Sequence, residues 1–79
     1  VARVRIEYFA ILRERAGRSS EEIETAAPTA ADLYEELRAR YPFPERSALK
    51  VAINHEFGDW RAKLADGDRV VFIPPVAGG

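Results

Sequence analysis

The chain ends Phe72-Ile73-Pro74-Pro75-Val76-Ala77-Gly78-Gly79, and the group here best suited to chemistry is the Gly79 carboxylate. Gly78 and Gly79 carry no Cβ, so nothing shields that carboxylate and the backbone can pass through a narrow channel. Six residues from Pro74 to Gly79, extended at about 3.3 Å each, reach roughly 20 Å. Pro74 and Pro75 fix φ and stiffen the stem, which lowers the entropy lost when it enters another protein's active site.

Other candidates for chemistry are few. The chain has neither Cys nor Met, which excludes a disulfide staple, a thiolate metal site and a nucleophilic thiol. Any sulfur it handles must be attached after synthesis, and the terminal carboxylate is the place for it. His55 is the only histidine; without clustered carboxylates it reads as a turn or surface residue, and no metal site is expected. Glu21 and Glu22 fall on opposite faces of a strand and cannot act together. Arg13, Arg15 and Arg18 are interrupted by Glu14 and read as a solvated helix face rather than a phosphate-binding patch.

Composition narrows the class further. A chain of 79 residues makes one domain, with a core but no buried catalytic cleft. Net charge is −1, which leaves no electrostatic footprint for nucleic acid. No apolar run approaches the roughly 20 residues needed to span a bilayer, so a cytoplasmic protein is expected.

The elements that must carry the tail follow from periodicity. Ala2, Val4, Ile6 and Tyr8 alternate with Arg3, Arg5 and Glu7, which predicts a strand with one face on the core. Phe9–Ala16 suits a short helix buried through Ile11, Leu12 and Ala16, with Gly17 just past its end. Ser19–Thr25 is a polar edge strand around Ile23. Thr29 caps the main helix, with Asp32 answering in a capping box, Leu33, Leu37 and Tyr41 as its apolar stripe and Glu36–Arg40 as an outward pair. Tyr41-Pro42-Phe43-Pro44 stops it.

Leu49, Val51 and Ile53 alternate as the next strand, and turns at His55, Gly58 and Asp59 precede the return of Phe57 or Trp60 to the core. Asp66-Gly67-Asp68 is a turn. Arg69–Ile73 is apolar on both faces, Val70 and Phe72 against Val71 and Ile73, which predicts a central strand. A single long helix covers only one sheet face. The other, with Val71 and Ile73, is expected to dock a partner. The fold expected is α+β, one domain over 1–79 with 74–79 as an extended tail. It has a mixed sheet of four or five strands, one main helix and one short one, in the β-grasp arrangement.

Four stretches together resemble the small subunit of molybdopterin synthase, the MoaD family of ubiquitin-like sulfur carriers. They are Tyr8–Glu14 with Gly17, Thr29–Leu37, Val51–Glu56 and Leu64–Gly79. The last is the most specific, joining Asp-Gly-Asp, an apolar strand, Pro-Pro and Gly-Gly. The resemblance implies that an E1-like, MoeB-like adenylyltransferase uses ATP to adenylylate the Gly79 carboxylate, with Gly78 beside it. A sulfur donor protein then makes the thiocarboxylate. The tail enters a MoaE-like large subunit, in a heterotetramer, and gives its sulfur to precursor Z, cyclic pyranopterin monophosphate. The partner-binding residues implied are Val71, Ile73, Pro74, Pro75, Val76 and Ala77, and the chain itself binds no cofactor. Adenylylation makes chemical sense because a terminal carboxylate, with a pKa near 3.5, is anionic and a poor electrophile at pH 7. Carriers for thiamine synthesis, tRNA thiolation or cysteine formation share this logic, as does a protein modifier joined to lysines through Gly79.

Overall fold

The computed structural model describes residues 1–74. Five strands form one sheet in the order β2-β1-β5-β3-β4: β1 Ala2–Tyr8, β2 Ser20–Thr25, β3 Lys50–Ile53, β4 Glu56–Gly58 and β5 Arg69–Ile73. Helix α1 is Ala10–Ala16 and helix α2 Ala30–Arg38, with a single 3₁₀ turn at Arg46–Ala48. The first and last strands lie side by side and parallel, Ile6 opposite Val70 and Tyr8 opposite Phe72. All other pairings are antiparallel. This is the expected β-grasp.

Strand β5 is central because the turn before it is stitched to both neighbours. Gly67 has φ 88, open to glycine and costly for other residues. Around it, the Asp66 carboxylate accepts from the Arg3 amide at 2.8 Å, and the Gly67 amide donates to the Arg3 carbonyl at 2.8 Å. The Arg5 amide donates to the Asp68 carbonyl. On the other side, Asn54 Nδ2 donates to Asp68 at 2.9 Å while Asn54 Oδ1 accepts from the Arg69 amide at 3.0 Å. Each residue of the Asp-Gly-Asp signature therefore has a task in launching β5.

Helix α2 starts where Thr29 Oγ1 accepts from the Asp32 amide at 3.3 Å. Asp32 answers by accepting from the Thr29 hydroxyl at 2.8 Å, not from the backbone amide as in a capping box. The shorter Asp side chain makes this the nearer donor. The Ala30 and Ala31 amides go to the carbonyls of Ala62 and Trp60, which dock the helix start on the loop before β5. Gly17, with φ 75, closes α1 through a bond to the Arg13 carbonyl. The expected Glu36–Arg40 pair is present at 3.6 Å.

Three expectations about the core are corrected, and one left open is decided. Ile11 is exposed: a seven-residue helix with Leu12 and Ala16 inward turns the preceding position about 100° away. Tyr34, outside the expected stripe, is fully buried, because α2 sits deep enough to bury a face three side chains wide. Tyr41 lies beyond the helix end at Arg38 and packs on the core from the segment that follows. Trp60, not Phe57, returns to the core, stacking on Phe72 at 5.8 Å. The turn falls on Asn54 and His55, with φ 52 and 72, and Gly58 ends β4 rather than making a turn. A two-residue hairpin loop with both φ positive explains His55 as a turn residue.

The core lies between the sheet and α2. Tyr34 packs on Phe72 at 5.0 Å and on Phe43 at 5.9 Å, and Tyr8 continues the chain of rings at 5.5 Å from Phe43. Buried hydroxyls need partners. Tyr8 donates to Glu21 at 2.6 Å, Tyr41 to the same carboxylate oxygen at 2.9 Å, and Tyr34 to the Pro44 carbonyl at 2.7 Å. Burial is the main cause that raises all three phenol pKa values, Tyr34 to about 12; for Tyr8 and Tyr41 the hydrogen bond to Glu21 adds to it.

These shifts set an alkaline limit. A phenol held protonated in the fold above its unfolded pKa of 10.0 contributes stability that is complete below pH 10 and lost as pH rises toward its folded value. Urea unfolding between pH 9 and 12 is expected to show stability level to about pH 10. Above that it should fall by roughly 1.4 kcal/mol per pH unit for each of Tyr8 and Tyr34. Replacing Tyr34 by Phe is expected to make that decline shallower, with Tyr8 and Tyr41 still contributing.

Candidate functional site: the uncovered sheet face and the root of the tail

Because β5 runs parallel to β1 at the sheet centre, its last residues, Phe72 and Ile73, lie at the end where β1 finishes and β3 begins. Pro74 then leads out of the sheet. Pro75, Val76, Ala77, Gly78 and Gly79, all expected to act in partner binding or chemistry, lie outside the described residues.

Strand parity sorts β5 into two faces. Val70 and Phe72 are fully buried beneath α2. Val71 and Ile73 are half-buried on the opposite face, which no helix covers. The register builds a patch around them: Ala52 lies opposite Val71 and Phe57 opposite Ala52. Lys50 is opposite Ile73, its ammonium 5.9 Å from the Phe57 ring centre. Phe57 is 74% exposed, the most exposed of the aromatic side chains among the described residues. The structure thus brings together Val71, Ile73 and Pro74, and adds Phe57 and Ala52, which sequence reasoning missed. The available signal was the period-two parity of β3 and β4 across a two-residue turn, which places Phe57 on Ala52's side.

Charges frame the patch. Arg69 Nε stands 3.8 Å from Glu7 on the same face, and Glu22 of β2 lies opposite Arg5 in the register. Among the described residues no cluster of His, Cys, Asp or Glu could hold a metal ion. His55 is exposed at the hairpin turn. Glu21 is engaged by Tyr8 and Tyr41, and Glu22 is exposed on the far side of its strand. What the described surface offers is an apolar area beside Pro74.

Known proteins place this architecture. The ThiS family matches residues 6–79. The molybdopterin synthase sulfur carrier subunit of Escherichia coli is 32% identical, over 96% of this chain and 99% of its own length. The one of Mycobacterium tuberculosis is 35% identical, over 98% of both chains. Among solved structures, SAMP1 of Haloferax volcanii, a small archaeal modifier protein, superposes with a TM-score of 0.81 at 25% identity, covering 99% of this chain and 100% of that one.

The geometry separates two phenylalanines. Phe57→Ser is expected to change the unfolding free energy by no more than about 0.5 kcal/mol, as for other exposed positions. Phe72→Ala, which empties a site packed between Tyr34 and Trp60, is expected to cost about 3–5 kcal/mol. Chemical denaturation of the two variants beside the parent measures the contrast. With residues 6–79 matched to one family profile and two curated relatives aligned over nearly their whole length, the chain belongs to the ThiS family, as a relative of the molybdopterin synthase sulfur carrier subunits.

Proposed function

We propose that this chain is the sulfur carrier subunit of a molybdopterin synthase, working through a thiocarboxylate on Gly79. One observation carries the reading: the family match runs through Gly79, so the likeness to the sulfur carrier subunits includes the tail as well as the fold. The chemistry follows from the group. The Gly79 carboxylate attacks the α-phosphate of ATP on an E1-like adenylyltransferase, pyrophosphate leaves, and an acyl adenylate results. Sulfide-level sulfur, released as hydrosulfide by a donor protein, then attacks the acyl carbon, the bond to AMP breaks with its electrons leaving on AMP, and the thiocarboxylate remains. Beyond the Gly79 carboxylate the domain supplies no base or nucleophile to these steps; it positions the acyl group, and its partners catalyse.

The uncovered face serves docking. Val71, Ile73, Phe57 and Pro74 form the apolar area that meets the synthase large subunit, a MoaE-like protein, and the activating enzyme meets an overlapping surface. The two complexes are therefore mutually exclusive, and the carrier must leave one to enter the other. The tail from Pro74 to Gly79, long enough at about 20 Å to reach a buried site, delivers the sulfur to precursor Z. The likeness to SAMP1 favours a second reading, a modifier joined to lysines of other proteins through Gly79. It uses the same activated acyl group with an amine as acceptor.

Intact mass of the protein from cells separates the readings. A thiocarboxylate adds about 16 Da, and oxidation of Cys or Met cannot mimic it because the chain has neither. Lysine-linked conjugates in place of that species would support the modifier reading; an unaltered carboxylate under molybdenum-cofactor demand would overturn both. Deletion of Gly79 is expected to leave folding and large-subunit binding near those of the parent. It withdraws the carboxylate by about 3.3 Å, enough to lose the near-attack geometry, so sulfur delivery should fall at least 100-fold, on the order of that expected for such a displacement. Dithiolene formation at the parental rate by the shortened chain would refute the terminal-carboxylate mechanism.

A further inference from the structure

Pro74 stands between two shallow cavities, and both carry the same chemistry. One, of about 380 Å³, is lined by Leu49, Phe57 and Ile73 with Lys50 beside them. The other, of about 310 Å³, is lined by Ile11, Pro42, Phe43 and Pro44 with Arg15. Ala48 and Pro74 line both. Each is therefore an apolar socket with one cation, and among the described residues no carboxylate lines either. Arg15 and Lys50 are exposed, and neither forms an ion pair within the described residues. The contrast lies at the other end of β5, where Arg3, Arg5 and Arg69 share a cavity with Glu22 and Asp66. On a chain with 13 acidic and 12 basic residues, the root of the tail is locally cationic while the rest, with about 10 basic against 13 acidic residues, is net acidic.

We propose that these two sockets are a docking collar for the protein that receives the tail, and that the mouth of its tail channel presents apolar side chains flanked by carboxylates. Arg15 and Lys50 pair with those carboxylates while the apolar side chains fill the sockets on either side of Pro74. The inference rests on the sulfur carrier reading and extends the docking surface from the sheet face around the tail root to α1. The exposed Ile11, unexplained by the core, is part of the second socket. The cations serve docking and not the reaction. Five residues separate Pro74 from the terminus, which places the reacting carboxylate up to about 16 Å away when the tail is extended. Charges at the rim of an interface act mainly on the association rate and its salt dependence.

The test is binding of the purified synthase large subunit from the same organism to the parent, R15Q, K50Q, the double variant and I11S. It is measured by stopped-flow and calorimetry at about 50 and 500 mM NaCl, spanning weak and strong screening. Both cations are exposed, so melting temperatures should match the parent's. Each single charge removal is expected to weaken binding by about two- to five-fold at low salt, in the range of exposed ion pairs. The double variant should show the product of the two, mostly in the association rate, with the salt dependence flattened. I11S should weaken binding with the salt dependence retained. A double variant that matches the parent in affinity and salt dependence overturns the collar while leaving the sulfur carrier reading intact. A parent that does not bind the large subunit overturns that reading and the collar with it. Self-association of the parent that the double variant abolishes would assign the sockets to a second copy of this chain, and would also overturn the proposal.

Discussion

The structure depends on the placement of β5 between β1 and β3. A strand hydrogen-bonded on both edges has its backbone groups satisfied, which lets it be apolar on both faces without becoming an aggregation edge. The turn at Asp66–Asp68 secures that position. Its carboxylates and amides bond to Arg3, Ala65 and Asn54, so β5 starts in register with β1 and β3. Everything used afterwards follows from this register: the buried pair Val70 and Phe72, the uncovered pair Val71 and Ile73, and the end of the sheet from which Pro74 departs.

A parallel pairing of the first and last strands has a geometric consequence. The chain must cross from one end of the sheet to the other between them, and α2 makes the crossing over one face only. Burying that face consumes most of the large apolar side chains, with Tyr34, Phe43 and Phe72 in one continuous ring contact. The opposite face has only exposed or half-buried cover from Phe57, Val71 and Ile73. For a domain this small there is no second layer to spare. The face left over stays uncovered among the described residues, and Pro74 lies at its border.

The described part of the chain leaves no buried side-chain polar atom without a hydrogen-bond partner. In the function proposed above, reactivity lies in the terminal group and catalysis in the partners, so one uncovered apolar face would serve each partner in turn.

The sequence by itself determined four of the five strands, both helices and the cap residue Thr29, but not β4 at Glu56–Gly58. These depend on local signals: period two in Ala2–Tyr8 and Arg69–Ile73, a cap at Thr29, and glycines at Gly17 and Gly67 where φ must be positive. It also determined the tail and the absence of sulfur, which are properties of composition and order. The tertiary structure alone decided which aromatic residues are buried. Phe57 and Trp60 are equally apolar, and only the register across the Asn54–His55 turn sends one to the open face and the other against Phe72. Tyr34 and Tyr41 were likewise undecidable from spacing, since the depth of α2 and the path after Arg38 are set by long-range packing. The two sockets at the root of the tail draw on α1, the segment after α2, and β3 to β5. No stretch of sequence contains them, because only the closed fold brings Ile11, Pro44 and Lys50 around Pro74.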